Sequence, residues 1–133
     1  MLRVSGLKFD VDSFTATCNL EIDSVFRRGE PIIRSKPTGQ AYERSGLRIV
    51  VSNAGVHDLP SQQRDAIEFL SAHANEVRGL AAFSGVEFIG LDFGIARRDV
   101  AAQSDTFSVE LIRLAGECRI ALSLTQYTVS SEQ

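Results

Sequence analysis

The sequence predicts an α+β fold: a mixed or antiparallel sheet of about four strands, with helices packed on one face. Three observations predict it. Leu47–Asn53 (LRIVVSN) and Val86–Ile95 (VEFIGLDFGI) alternate apolar with polar or small residues, as half-buried strands do. Between them, Ile67, Leu70, Ala74, Val77 and Ala81 recur at steps of three and four, which is one face of a helix. The patterns follow one another in the order β-α-loop-β-α-β-α-β, with no repeat and no linker between two halves.

Leu2–Phe9 reads as the first strand, with Leu2 and Val4 on one face and Leu7 and Phe9 on the other. Gly6 between them marks a bulge that switches the phase. Asp10 or Asp12 caps a short helix reaching Asn19, because a carboxylate accepts from the free N–H groups of a first turn. Leu47–Asn53 follows a long loop, and Asn53-Ala54-Gly55 ends it with turn chemistry. The main helix is expected over Pro60–Phe83. Proline suits its first turn, Ala66, Phe69 and Leu80 widen its apolar stripe, and Gly85 stops it. In Val86–Ile95 the core face is Ile89, Leu91, Phe93 and Ile95. Phe88, Gly90, Asp92 and Gly94 form the other face, small enough for another group to approach closely. Thr106 or Ser108 caps a third helix with apolar Val109, Leu111, Ile112 and Leu114, and Gly116 ends it. Arg119–Val129 closes the chain as a strand, with Ile120, Leu122 and Leu124 inward.

A chain of 133 residues makes one domain, 1–133. Hydrophobic residues at 44% and charged residues at 23% are ordinary for a globular protein, and tryptophan is absent. The net charge of −3 argues against nucleic-acid binding, which needs an excess of basic charge. No apolar run approaches the roughly 20 residues that span a bilayer. The opening MLRVSGLKFD has no signal-peptide core, so a cytoplasmic protein is expected, with no membrane partner. Cys18 and Cys118 form no CxxC and no zinc spacing; reduced thiols are expected.

The segment 23–46, DSVFRRGEPIIRSKPTGQAYERSG, stands apart. It holds five of the 14 basic residues and sums to +2, against −5 for the rest. Most connections run roughly 4–6 residues, and long loops in small domains are often functional. Arg27, Arg28, Glu30, Arg34 and Lys36 are its candidate ligand- or partner-binding residues, since guanidinium forks hold carboxylates and phosphates. The opposing expectation is that the arginines pair with the chain's own acids and pin the loop.

Three segments carry a resemblance to a known family. They are Asp10–Pro31 (DVDSFTATCNLEIDSVFRRGEP); LRIVVSN with the helix containing DAIEFL; and Phe107–Tyr127 (FSVELIRLAGECRIALSLTQY). In these the chain resembles the uncharacterised bacterial domain-of-unknown-function family forty-two seventy-nine, which often carries Trp where this chain has Phe26. The resemblance implies a fold and a bacterial source, and no activity.

No catalytic signature is present. Asp92-Phe93-Gly94 matches the magnesium tripeptide of protein kinases, but the glycine-rich loop, strand lysine and catalytic loop are all missing. No dinucleotide or P-loop motif occurs. His57 and His73, the two histidines, do not supply the three or four ligands a metal needs, so no metal and no cofactor is expected. The expected function is a non-catalytic protein- or anion-binding module, with an immunity-type or regulatory protein that caps a partner as one version. The alternative is a small enzyme using Cys18 or His57 with loop arginines. The two readings part on whether those groups converge in a pocket.

Overall fold

The computed structural model describes residues 1–128. Its elements are β1 (Leu2–Gly6), α1 (Val11–Thr15), β2 (Ser24–Phe26), β3 (Ser45–Ile49), α2 (Leu59–Ala72), α3 (Ala74–Ala82), β4 (Phe88–Ala96), α4 (Val109–Glu117) and β5 (Ala121–Tyr127). The strands form one mixed sheet in the order β2-β3-β1-β4-β5. All neighbours are antiparallel except β4 and β5, which run parallel because α4 carries the chain back between them. The fold is α+β as expected, with five strands rather than about four. The extra strand is β2, three residues at the start of the basic segment, too short to show alternation.

One face of the sheet carries the core. Leu2, Val4, Leu47, Ile49, Ile89, Leu91, Phe93 and Ile95 point from it into a cluster with Leu70, Val77, Leu80, Leu111 and Cys118 of the helices. Phe9, Phe14 and Phe83 close one end, their ring centroids 5.2–6.2 Å apart in tilted and edge-on contacts. Buried Gln62 and Gln63 stitch α2 to its surroundings. The Gln62 amide donates to the carbonyls of Gly55 and Gly94, both at 2.9 Å, and Gln63 donates to Thr106 O and accepts from Ser108 N. Every buried amide atom is thereby satisfied, as burial of polar groups demands.

Several boundaries move for local reasons. β1 stops at Gly6 instead of Phe9. The backbone of Gly85 lies against Gly6 where a side chain would sit, and the chain turns there. No bulge is needed: Phe9 reaches the core after the turn, while Leu7 is exposed. Asp10 caps α1 by accepting from Ser13 N at 3.1 Å, but the helix ends at Thr15, before residues that favour helix poorly. β3 ends at Ile49 because its ladder partner Leu2 is the first residue of β1, so the antiparallel pairing runs out there. The expected long helix is two helices. His73, with φ −123° and ψ 27°, ends α2 and starts α3, in a stretch where His73 and Asn75 are weak helix formers. Leu70 and Val77 of the expected stripe are fully buried; Ile67, Ala74 and Ala81 sit at its margin. Asp58 caps α2 and Ser108 caps α4, each accepting from an N–H three residues on at 3.1 Å.

The end of α4 differs too. Gly116 lies inside the helix, and Arg119 takes the left-handed conformation with φ 59°. Arg119 N then donates to Gly116 O and Ile120 N to Ala115 O, the paired bonds of a Schellman turn. Arg119 is therefore turn and not strand, and Val129 lies outside the described residues. Among the described residues no helix is long and apolar enough to cross a membrane.

Candidate partner-binding surface

Among the described residues no helix covers the second face of the sheet, and the aliphatic core residues of the strands point the other way. Strand alternation fixes what this face presents: Ser24 and Phe26 from β2, Gly46 and Arg48 from β3, Arg3 and Ser5 from β1, Phe88, Gly90, Asp92 and Gly94 from β4, and Ser123, Thr125 and Tyr127 from β5. Its aromatics stand over its glycines. A side-chain carbon built on Gly90 would lie 2.8 Å from Phe88 Cζ, and one on Gly94 would lie 3.0 Å from Tyr127 Cε2. One built on Gly46 would collide with the ring of Phe26 and with the carbonyl of Val4.

Arg3 and Arg48 are cross-strand partners on this face, so two like charges stand directly opposite. Arg3 reaches Asp92 at 3.3 Å, and Asp92 also accepts from the Thr125 hydroxyl at 2.7 Å. Arg48 has no carboxylate among the described residues. Its guanidinium carbon stands 4.9 Å from the Phe26 ring centroid, in cation–π contact. The kinase-like Asp92-Phe93-Gly94 is thus an ion-pairing strand residue, a core residue and a small floor residue.

The basic segment is a hairpin arm growing from β2 and β3. Gly29 N donates to Tyr42 O and Tyr42 N to Glu30 O, both at 2.9 Å; Ile32 N donates to Gln40 O at 3.0 Å. Pro31 and Ala41 form a further antiparallel bridge. Tyr42 stacks on Phe26 with centroids 4.9 Å apart, which seats the arm on the edge of the open face. Two tight turns at Lys36 and Gly39 close the tip.

The arm's charges divide into two sets. Arg27 grips Asp12 of α1 with two parallel bonds, Nε at 3.0 Å and Nη2 at 2.7 Å, and lies 3.6 Å from Glu30. These bonds hold the Asp12 carboxyl below the usual range and push the Arg27 guanidinium further up. Arg27 and Glu30 are thus paired within the chain, whereas the opposing expectation had both arginines paired. Arg28, Arg34 and Lys36 are exposed, with no carboxylate partner among the described residues. Beside them Ile32 and Ile33 are 44% and 51% exposed. The tip is therefore both basic and apolar. Sequence reasoning found its charges and named Phe26, and missed that strand pairing brings Phe26 together with Arg48 and Arg3.

The groups of the enzyme alternative lie apart. Cys18 is half-buried in a local turn, where its sulfur accepts from Leu20 N at 3.2 Å. His57 borders a cleft of about 350 Å³ with Gln63, Arg98 and Asp105, and that cleft includes neither Cys18 nor an arginine of the arm. In it Asp105 is held below the usual carboxyl range by the Gln103 amide and by Arg98, 3.1 Å away. Cys118 is buried at the C-terminal cap of α4, and burial pushes its thiol up. Among the described residues, no group of three His, Cys, Asp or Glu is placed to hold a metal ion.

No protein-family model, curated protein or solved structure matches this chain.

Proposed function

We propose that this chain is a non-catalytic binding module that captures an acidic protein segment with its basic arm. One observation carries the reading: among the described residues, Arg28, Arg34 and Lys36 have no carboxylate partner, and they stand on an arm already ordered by its own backbone bonds. An ordered arm loses little conformational freedom on binding, so more of the contact energy goes into affinity. Unpaired cations beside Ile32 and Ile33 suit a partner with both carboxylates and apolar side chains. A regulatory or immunity-type role, a bacterial cytoplasmic setting and kinship with family forty-two seventy-nine belong to the same proposal.

The test is titration of a fluorescein-labelled glutamate-rich peptide, read by anisotropy, with the R28A/R34A/K36A triple variant beside the wild type. The wild type should bind, and its affinity should fall as salt rises. The variant should lose most of the binding while its unfolding free energy stays within about 0.5 kcal/mol of the wild type. Competition by inorganic phosphate at modest concentration would reassign the arm to a small anion. Equal binding by variant and wild type, or no binding by either, would overturn the reading.

A further inference from the structure

The two edges of the sheet are built differently. At one edge β2 has only three residues and continues into the pinned arm, both devices that discourage strand addition. At the other edge β5, Ala121–Tyr127 (ALSLTQY), has seven residues, no charge and no proline. Among the described strands it pairs with β4 alone.

Its register shows which backbone groups remain open. Arg97 N donates to Tyr127 O across the parallel ladder, so the odd-numbered residues of β5 turn toward β4. Leu122, Leu124 and Gln126 therefore turn their N–H and C=O groups outward, and no described backbone group bonds to them. The side chains of Leu122 and Leu124 point to the core face, yet they are only half buried, because the sheet stops there.

Helix α4 continues this edge. Its buried side is Leu111, Leu114 and Ala115. Glu110 lines a groove with Arg64 and Glu68 of α2, so that flank faces α2. Helical spacing puts Ile112 and Gly116 on the opposite flank, over the β5 edge, with Val109 beside them. Val109 is 83% exposed and Ile112 54%. The three charges of α4, Glu110, Arg113 and Glu117, lie away from Ile112.

We infer that a second copy of this chain docks on this edge, β5 against β5 about a two-fold axis at Leu124, to give a continuous ten-stranded sheet. Each element matches itself. Antiparallel self-pairing aligns Ala121–Tyr127 with its own reverse and sets Leu124 on Leu124, with Leu122 opposite Gln126. Serine 123 then meets Thr125 on the open face, a favourable cross-strand hydroxyl pair. The uncharged strand opposes no like charges. Parallel-sided α4 helices on neighbouring strand pairs come within roughly 10 Å, the distance at which helices pack. Ile112 of each faces the other, with Gly116 leaving room for close approach. This inference does not depend on the arm.

Sedimentation velocity of the wild type over a wide concentration range tests it, together with two variants. Gln126→Pro removes an outward N–H that no described backbone group accepts, so the fold is preserved while the pairing is blocked. Ile112→Lys places a charge in the helix contact. The wild type should sediment at twice the chain mass at high concentration. Each variant should shift to the monomer with unchanged circular dichroism, its dissociation constant raised at least tenfold. A wild type that stays monomeric at the highest concentration would overturn the inference. So would a dimer that well-folded forms of both variants leave intact, since the copies would then meet elsewhere.

Discussion

Replacing Leu70 with Ala probes the joint between helices and sheet. Leu70 is 0% exposed in α2 and belongs to the cluster that holds Leu47, Leu91 and Leu111. Leu→Ala removes three carbons, worth about 2.4 kcal/mol at roughly 0.8 kcal/mol each. A rigid void adds up to about 2 kcal/mol more, because packed neighbours relax only in part. The expected loss is therefore about 2.5–4.5 kcal/mol. With a urea slope of about 2 kcal/mol per molar, the midpoint should fall by roughly 1–2 M. Urea titration followed by far-ultraviolet circular dichroism reads it, with Ile67→Ala as the internal comparison. Ile67 lies on the same helix but only half-buried, so its loss should be about half as large. A Leu70→Ala loss below about 0.5 kcal/mol, or equal losses at both positions, would refute this packing.

Three further outcomes follow from the local geometry. Arg119→Gly should raise stability by roughly 0.5–1 kcal/mol, because glycine adopts the left-handed turn without strain; a destabilised variant would mean that the arginine side chain matters. Arg27→Gln should lower the urea midpoint at neutral pH. Asp12 is depressed in the folded state, so its contribution is present above the unfolded carboxyl pKa of about 3.9 and is lost as pH falls through the lower folded value. The gap between wild type and variant should close in acid, and a constant gap would contradict the pairing. Cys118 should react with a thiol reagent far more slowly than Cys18 at neutral pH, being buried and shifted toward the protonated form. Faster labelling of Cys118 in the folded protein would contradict its placement.

What the sequence revealed follows from the range of each interaction. The faces of β4 were legible because alternation is local: Ile89, Leu91, Phe93 and Ile95 are all buried. The two caps were legible to within a pair of candidates each, Asp10 or Asp12 and Thr106 or Ser108, since a cap reaches only three residues; the structure uses Asp10 and Ser108. The break at His73 was not, because the apolar spacing runs on through it. Strand β2 was not, because three residues carry no period and it exists by virtue of β3 beside it. The candidate surface divided in the same way. The charges of the arm were visible in composition. That Arg27 meets Asp12, fifteen residues earlier, and that Arg48 stands opposite Arg3 are facts of register.

The rings over glycines on the open sheet face constrain how this sequence can drift. At Gly94 the nearest obstacle is one edge of Tyr127, a side chain that can swing away or be lost, so the two positions should vary as a linked pair among descendants. At Gly46 the obstacle includes the backbone carbonyl of Val4, which no substitution removes. Phe26 is free to become another ring, or something smaller, over an unchanged Gly46. The reverse exchange is closed. A lineage could therefore retune the aromatic content of this face step by step, while the glycine beneath Phe26 stays fixed by the path of the neighbouring strand.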